Sequence, residues 1–222
     1  HFNLALYKAK FAYTIDGADP KYISFENFNA KSINVHIIGK SIHPGEGKDK
    51  LINAILLMNE FISYLPKDMI PYKTSGREGF NHIVSIKGDV ENAEAYFILR
   101  NHDSNILKKQ VDDFLLAKEK IEKEYKEAKI ELSIKDQYRN MIEVIEKHPD
   151  CKTLIENIYK KMNIPFEYEA TRGGTDGATF SFMNCPCPNL GTGSYNHHGR
   201  YEFAVLEEME LMSKIVTEIY KI

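Results

Sequence analysis

The sequence predicts an α/β protein: a small mixed sheet with helices, interrupted by a compact βαββαβ unit of the ferredoxin-like kind. Three observations carry that expectation. Between residues 32 and 134 the hydrophobic periodicity runs strand, helix, strand, strand, helix, strand. After residue 150 come a helix, a strand, a glycine-rich loop and another helix, as in an α/β layer. A β-branched and aromatic stretch over 10–16 precedes the unit and is expected to join that later layer.

Taken in order, residues 10–16 read as a strand ending in Asp16-Gly17, and Tyr22 to Phe28 as a second. Ile33, Val35 and Ile37 alternate, so Ser32 to Ile38 reads as a third. A loop punctuated by Gly39, Pro44, Gly45 and Gly47 follows, then a helix over 48–65 with Leu51, Ile55, Met58 and Ile62 on its apolar face. A polar loop from Tyr72 to Gly79 leads to a hairpin of His82–Lys87 and Ala93–Arg100. Asp103-Ser104 caps a long helix with a stripe of Leu107, Val111, Phe114, Leu115 and Ile121, and Lys129 to Ile134 alternates as the next strand. Residues 150–163 read as a helix, Phe166 to Thr171 as a strand, Arg172 to Gly177 as a tight loop opening a helical turn, and residues from 204 as a closing amphipathic helix.

Composition narrows the function classes without choosing one. At 222 residues, 43% apolar and 27% charged, the chain has room for one large or two small cores. A net charge of −3 argues against nucleic acid or anionic lipid as the main partner, and no apolar run approaches a membrane span. The three cysteines, Cys151, Cys185 and Cys187, fit neither a zinc pair nor a disulfide framework, which points to a reducing, cytoplasmic setting.

Several residues could carry chemistry. In Arg172-Gly-Gly-Thr-Asp-Gly177, glycines between strand and helix let an anion approach the backbone, and Arg172 offers a planar fork suited to a carboxylate. Asp176 and the missing Lys-Ser/Thr argue against phosphate, and a plain glycine turn with a surface arginine is the competing reading. His197-His198-Gly199 lies in an irregular segment, open between metal ligation and an ordinary loop pair. His43, before Pro44-Gly45, is likewise a loop histidine. Asp16 ends a strand, where sites in α/β sheets gather. His148-Pro149-Asp150 and Glu207-Glu208 imitate metal-site units, but Asp150 reads as a helix cap, and Leu206, Met209 and Met212 form the apolar face of the closing helix.

Together, Phe11-Ala-Tyr-Thr-Ile-Asp-Gly17, Phe25-Glu-Asn-Phe-Asn-Ala30, Ile42-His-Pro-Gly45, Arg172-Gly-Gly-Thr-Asp-Gly-Ala178, Cys187-Pro-Asn189 and Tyr195-Asn-His-His-Gly-Arg-Tyr-Glu-Phe203 resemble the peptidase T family, tripeptide aminopeptidases of the di-zinc aminoacylase/carboxypeptidase clan. The resemblance runs in order along the whole chain. It implies a partial zinc-peptidase catalytic domain over 1–28 and 142–222, carrying an inserted lid over 29–141. It implies two zinc ions, with Asp16 a ligand of one and His198 of the other. It makes His43 the catalytic lid histidine that polarises the scissile carbonyl, Arg172 the grip on the substrate's C-terminal carboxylate, and Asn140 a further hydrogen-bonding partner of the substrate. Paired cations bring a water's pKa toward roughly 7, and zinc accepts both imidazole and carboxylate.

The same resemblance exposes a gap. The family's His-x-Asp unit, bridging aspartate and Glu-Glu pair have no counterpart here, so the expectation is the C-terminal portion of a longer enzyme, inactive alone. Other divalent metals than zinc remain open, as does a homodimer through the lid. Two competing readings stand beside it: a non-catalytic interaction module using exposed lid strand edges, and a sister di-zinc dipeptidase or carboxypeptidase.

Overall fold

A computed structural model describes residues 8–221. Along the chain run β1 (Thr14–Gly17), β2 (Tyr22–Asn27), β3 (Asn29–Ile38), α1 (Ala54–Ser63), β4 (Phe80–Gly88), β5 (Asn92–Asn101), α2 (Ser104–Glu124) and β6 (Lys129–Tyr138). They are followed by α3 (Ile142–Ile145), α4 (Pro149–Lys161), β7 (Glu167–Thr171), α5 (Asp176–Ser181), β8 (Asn189–Gly191), β9 (Ser194–Tyr195), β10 (Phe203–Ala204) and α6 (Leu206–Ile219). The chain divides into two compact units, one of His1–Phe28 with Tyr138–Ile222 and one of Asn29–Gln137.

In the unit of Asn29–Gln137, a four-stranded sheet has the order β4-β5-β3-β6, the order of a ferredoxin-like βαββαβ unit. β5 runs antiparallel to both β3 and β4. The alternation read at Ile33, Val35 and Ile37 is a buried face, and Ala93, Ala95, Phe97 and Leu99 of β5 continue it. α1 and α2 cover it, with Phe114 edge-on to Phe97 at 5.0 Å and near Phe61 at 5.9 Å. Each such buried ring or branched side chain contributes about 1.5–3 kcal/mol by leaving water.

Three details of this unit differ from the sequence reading. α1 begins at Ala54, not 48, because Lys40 and Ile52 exchange backbone hydrogen bonds as an isolated bridge and Asn53 then caps the helix through its side chain. Its buried face is accordingly Ala54, Leu57, Met58 and Phe61, with Leu51 outside the helix and Ile55 exposed. In α2 the cap is Asp103 as expected, but Gln110 and Ala117 lie on the buried stripe and Leu115 does not.

The other unit has a four-stranded mixed sheet, β1-β8-β2-β7. β1 pairs parallel to β8, β8 antiparallel to β2, and β2 parallel to β7, so the first strand does join the later layer. The strand proper is shorter than 10–16, although Ala12 already donates to the Pro186 carbonyl at 2.9 Å. Ile23, Phe25, Met141, Ile155, Tyr159, Leu190, Met212 and Ile215 form the separate core of this unit.

Asp150 is not the cap of α4: His148 occupies that position without a side-chain bond, Pro149 opens the helix, and Asp150 sits in the first turn paired with Lys10. On α6 the buried residues are Met212 and Ile215, while Leu206 and Met209 are exposed. All three cysteines are free and buried. Among the described residues no helix is long and apolar enough to cross a membrane.

Candidate functional site

Asp16 lies where β1 departs from regular pairing. Ile15 faces Leu190 and Gly17 faces Gly191, so two residues of β1 span one step of β8 and Asp16 is the extra one. A bulge of this kind re-aims the side chain at the strand end. β8 runs parallel to β1 and therefore finishes at the same end of the sheet. Thr192 then ties the chain to β1, its N–H and hydroxyl both donating to the Gly17 carbonyl, at 3.1 and 2.7 Å. Gly193 turns with φ 79°, and the chain enters the β9–β10 hairpin whose tip carries the two histidines.

That tip is held in an uncommon backbone. Asn196 and His198 have φ of 58° and 64°, the left-handed region that few non-glycine residues adopt. Asn196 Nδ2 donates to the Tyr201 carbonyl at 3.1 Å, Gly199 N–H to the Asn196 carbonyl at 3.0 Å, and His198 N–H to the Glu202 carboxylate at 3.3 Å. The two imidazoles differ. His197 Nε2 lies 2.8 Å from Ser194 Oγ, whereas among the described residues the His198 ring has no such hydrogen bond.

Electrostatics register the convergence. Burial raises the Asp16 carboxyl above the ordinary carboxylate range, the neighbouring Asp176 raises it further, and His197 and His198 pull it back down. Asp16, Asp176 and both histidines thus act on one charge. Among the described residues no group of three or more His, Cys, Asp or Glu side chains is arranged to hold a metal ion.

Arg172 follows β7, and its guanidinium lies over the buried Phe28 ring, 5.2 Å from the centroid. In the glycine loop, Thr175 caps α5, accepting from Ala178 N–H at 3.0 Å. Two of its glycines serve close packing: a Cβ at Gly174 would sit 2.7 Å from the Tyr138 ring, and one at Gly177 only 2.4 Å from the Cys187 carbonyl.

Asn140 is buried and interlocked with Asn27. Its Oδ1 accepts from Asn27 N–H at 3.1 Å and Ile142 N–H at 3.0 Å, while Asn27 Oδ1 accepts from Met141 N–H at 2.8 Å. Asn140 Nδ2 reaches Glu26 at 3.4 Å. This clamp groups residues 138–141 with the sheet of β1, β2, β7 and β8, a few residues earlier than the boundary expected at 141. His43 belongs to the other unit. It is exposed and caps a short 3-10 turn, Pro44–Glu46, its Nδ1 accepting from Gly45 N–H at 3.1 Å, so a neutral ring carries its proton on Nε2.

Residues 25–129 match the family model of the peptidase dimerisation domain. Peptidase T of Clostridium perfringens strain 13 is 42% identical over 222 residues, which are 100% of this chain and 55% of the relative. Over its whole length the chain is thus similar to about half of a peptidase T. Peptidase T of Escherichia coli K12 is 39% identical over 220 residues, covering 99% of the chain and 54% of the relative. Among solved structures, an aminopeptidase PepT from Bacillus cereus superposes with a TM-score of 0.82 at 19% identity, covering 98% of this chain and 58% of that one. A tripeptidase from Staphylococcus aureus gives 0.84 at 22%, with the same coverage. These two likenesses speak for the fold.

The chain therefore spans about half the length of the peptidase T relatives it matches. Two residues at this end have no separate reading in the sequence: Asp176, which acts on the Asp16 charge, and Glu202, which accepts from the His198 N–H. The sequence sets Asp176 only against phosphate, and Glu202 stands only within the motif that follows His198. The signal for both was adjacency in sequence to a candidate residue. What it lacked was the fold that turns Asp176 toward Asp16.

Proposed function

We propose that this chain forms part of a metal-dependent aminopeptidase that removes the N-terminal residue of tripeptides, with Asp16 and His198 each giving a donor to one of two zinc ions. The observation that carries this reading is the convergence of the β1 bulge and the histidine tip at one end of the sheet, where Asp16 is coupled to both imidazoles. The names of its relatives, peptidase T and tripeptidase, support the substrate class.

A carboxylate and an imidazole suit zinc, so the donor types fit. Their number does not complete a centre among the described residues, and the remaining donors belong to the part of the relatives' length that this chain does not span. When bound, zinc supplies Lewis acidity and lowers the pKa of water to roughly 7. The chain's own residues do the rest. The bulge aims Asp16, Asp176 deepens the negative potential that draws cations, and Glu202 holds the left-handed backbone that presents His198. His43, protonated on Nε2, would donate to the scissile carbonyl. Arg172, steadied by Phe28, would take the substrate's C-terminal carboxylate with its planar fork. Asn140 would reach substrate through Nδ2 by giving up its long contact with Glu26.

The setting is cytoplasmic, in keeping with three free buried cysteines, and the partner is a second copy joined through the lid, in keeping with the dimerisation domain and the exposed Val84 and Ile86 of β4. On its own the chain is expected to show no peptidase activity. Metal analysis tests the reading: the full-length protein carrying this chain should hold two zinc ions, and Asp16→Ala or His198→Ala should each lower that number. Unchanged zinc in both variants would leave an interaction module as the better account. Comparing a tripeptide with its N-acetyl form separates an aminopeptidase, which loses the acetylated substrate, from a carboxypeptidase, which still cleaves it.

A further inference from the structure

His197 has no part in the proposed chemistry, yet its ring ends a hydrogen-bond chain that leads out of the hairpin tip. The contacts that shape the tip, from Asn196 to Tyr201, from Gly199 to Asn196 and from His198 to Glu202, join residues 196–202 to one another. They set the local backbone without fastening it to the sheet. His197 Nε2 instead lies 2.8 Å from Ser194 Oγ at the base of the hairpin, Ser194 Oγ is hydrogen-bonded to Thr192 Oγ1, and Thr192 Oγ1 lies 2.7 Å from the Gly17 carbonyl. The chain thus ends on the residue beside Asp16.

The direction of every proton in it follows from that last member. A carbonyl only accepts, so at 2.7 Å the Thr192 hydroxyl gives its single proton to Gly17; turned the other way, two oxygen lone pairs would face each other. With that proton committed, Thr192 Oγ1 can only accept, and it does so from the Ser194 hydroxyl and from Ser194 N–H, the latter at 3.0 Å. Ser194 Oγ then has no proton left for the ring, so it accepts from His197 Nε2–H. Donors aligned in this way polarise one another. The main chain reinforces the anchor, Thr192 N–H donating to the Gly17 and Ala18 carbonyls at 3.1 and 2.9 Å. Ser194 and Thr192 are half-buried, so the chain meets open solvent only at the exposed ring. Of the two imidazoles, His197 acts more strongly on the Asp16 carboxylate, which agrees with a ring held toward the strand end.

We propose that His197 is a positioning residue: the His197–Ser194–Thr192–Gly17 chain ties the tip that presents His198 to the β1 bulge that aims Asp16, and so holds the two donors in register before a metal binds. The proposal rests on the metal-site reading above. An untethered tip would have to be ordered at the moment of binding, which lowers affinity without removing a donor.

Zinc titration of the full-length protein carrying this chain, in competition with a chromophoric chelator, tests it. His197→Ala should weaken one of the two zinc ions about three- to tenfold, the size of one net hydrogen bond, with the metal count at saturating zinc unchanged. His197→Gln, whose Nε2 can donate from the same position along the side chain, should recover most of that loss, whereas the shorter His197→Asn should not. Ser194→Ala should match His197→Ala, and the double variant should be no weaker than either single one, because both cut the same chain. In the metal-free 222-residue chain, the His197 Nε2–H proton should give a nuclear magnetic resonance signal that Ser194→Ala removes. If His197→Ala fails to fold, Ser194→Ala and that proton signal decide. Undiminished zinc affinity in His197→Ala, where Asp16→Ala lowers it, would overturn this proposal and leave the metal reading standing; undiminished affinity in every variant would remove both. Additive losses in the double variant, or no recovery with glutamine, would also overturn it.

Discussion

The direction of the Asp16 side chain depends on one extra residue in β1 opposite Leu190 and Gly191. An aspartate at a strand end is visible in a string of letters; a bulge is not, because it is a relation to a partner strand far along the chain. The same holds for His198, whose left-handed φ of 64° is imposed by hydrogen bonds from Asn196 to Tyr201 and from His198 to Glu202. The paired histidines, Arg172 and His43 were legible as residue types in irregular segments, whereas the coupling of Asp16 to Asp176 needed the folded sheet. The glycine loop allows a sharp comparison at this scale. Gly177→Ala would place a methyl 2.4 Å from the Cys187 carbonyl, and the backbone shift this forces should cost about 1–3 kcal/mol in urea unfolding. Gly173→Ala meets nothing within 4 Å and should change stability by less than about 0.5 kcal/mol. Equal effects of the two substitutions would contradict this account of the loop.

Elements were read well where a repeat ran without interruption. The alternation of Ile33, Val35 and Ile37 identified β3, and Asp103 identified the start of α2. Leu51, Ile55, Met58 and Ile62 fit helical spacing as well as the true set does, so periodicity alone misphases α1. What selects the true set is the Lys40–Ile52 bridge, which holds the chain extended until Asn53. Asn53 Oδ1 accepts from Ile55 and Leu56 N–H at 3.0 and 3.3 Å. Asn53→Ala should therefore destabilise the protein by about 1 kcal/mol, while Asn53→Asp should be nearly neutral, as read from urea midpoints. The apolar face of α6 escapes the sequence for a related reason: Leu206 and Met209 fit the spacing, yet burial is decided by what packs against the helix, and that is where Met212 and Ile215 lie.

For the molecule as a whole, the interruption of one layer by a ferredoxin-like unit followed from the order of periodicities, and the two separate cores agree with it. Burial of titratable groups gives the molecule a pH dependence. Burial pushes the Cys187 thiol up to about 12 and the Cys151 thiol to about 11, from an ordinary 9.0, and raises the Tyr13 and Tyr159 hydroxyls as well. Between pH 9 and 11 the unfolded chain would release thiol protons that the folded chain keeps. The folded state then binds more protons, so stability falls as pH rises. Urea midpoints should hold steady up to about pH 9 and decline beyond it, with a shallower decline in Cys187→Ala. A midpoint unchanged at pH 10.5 would contradict the burial of these groups.

The Asn27–Asn140 clamp has an architectural corollary. Because Met141 N–H meets Asn27 Oδ1 at 2.8 Å, the strand that leaves the host sheet and the segment that leads back into α3 are latched side by side. Seen from the host, the whole excursion through residues 29–137 closes like a hairpin bend, so that a short turn grafted across the same gap would satisfy its connectivity, and the excised unit would carry away both of its own ends as neighbours.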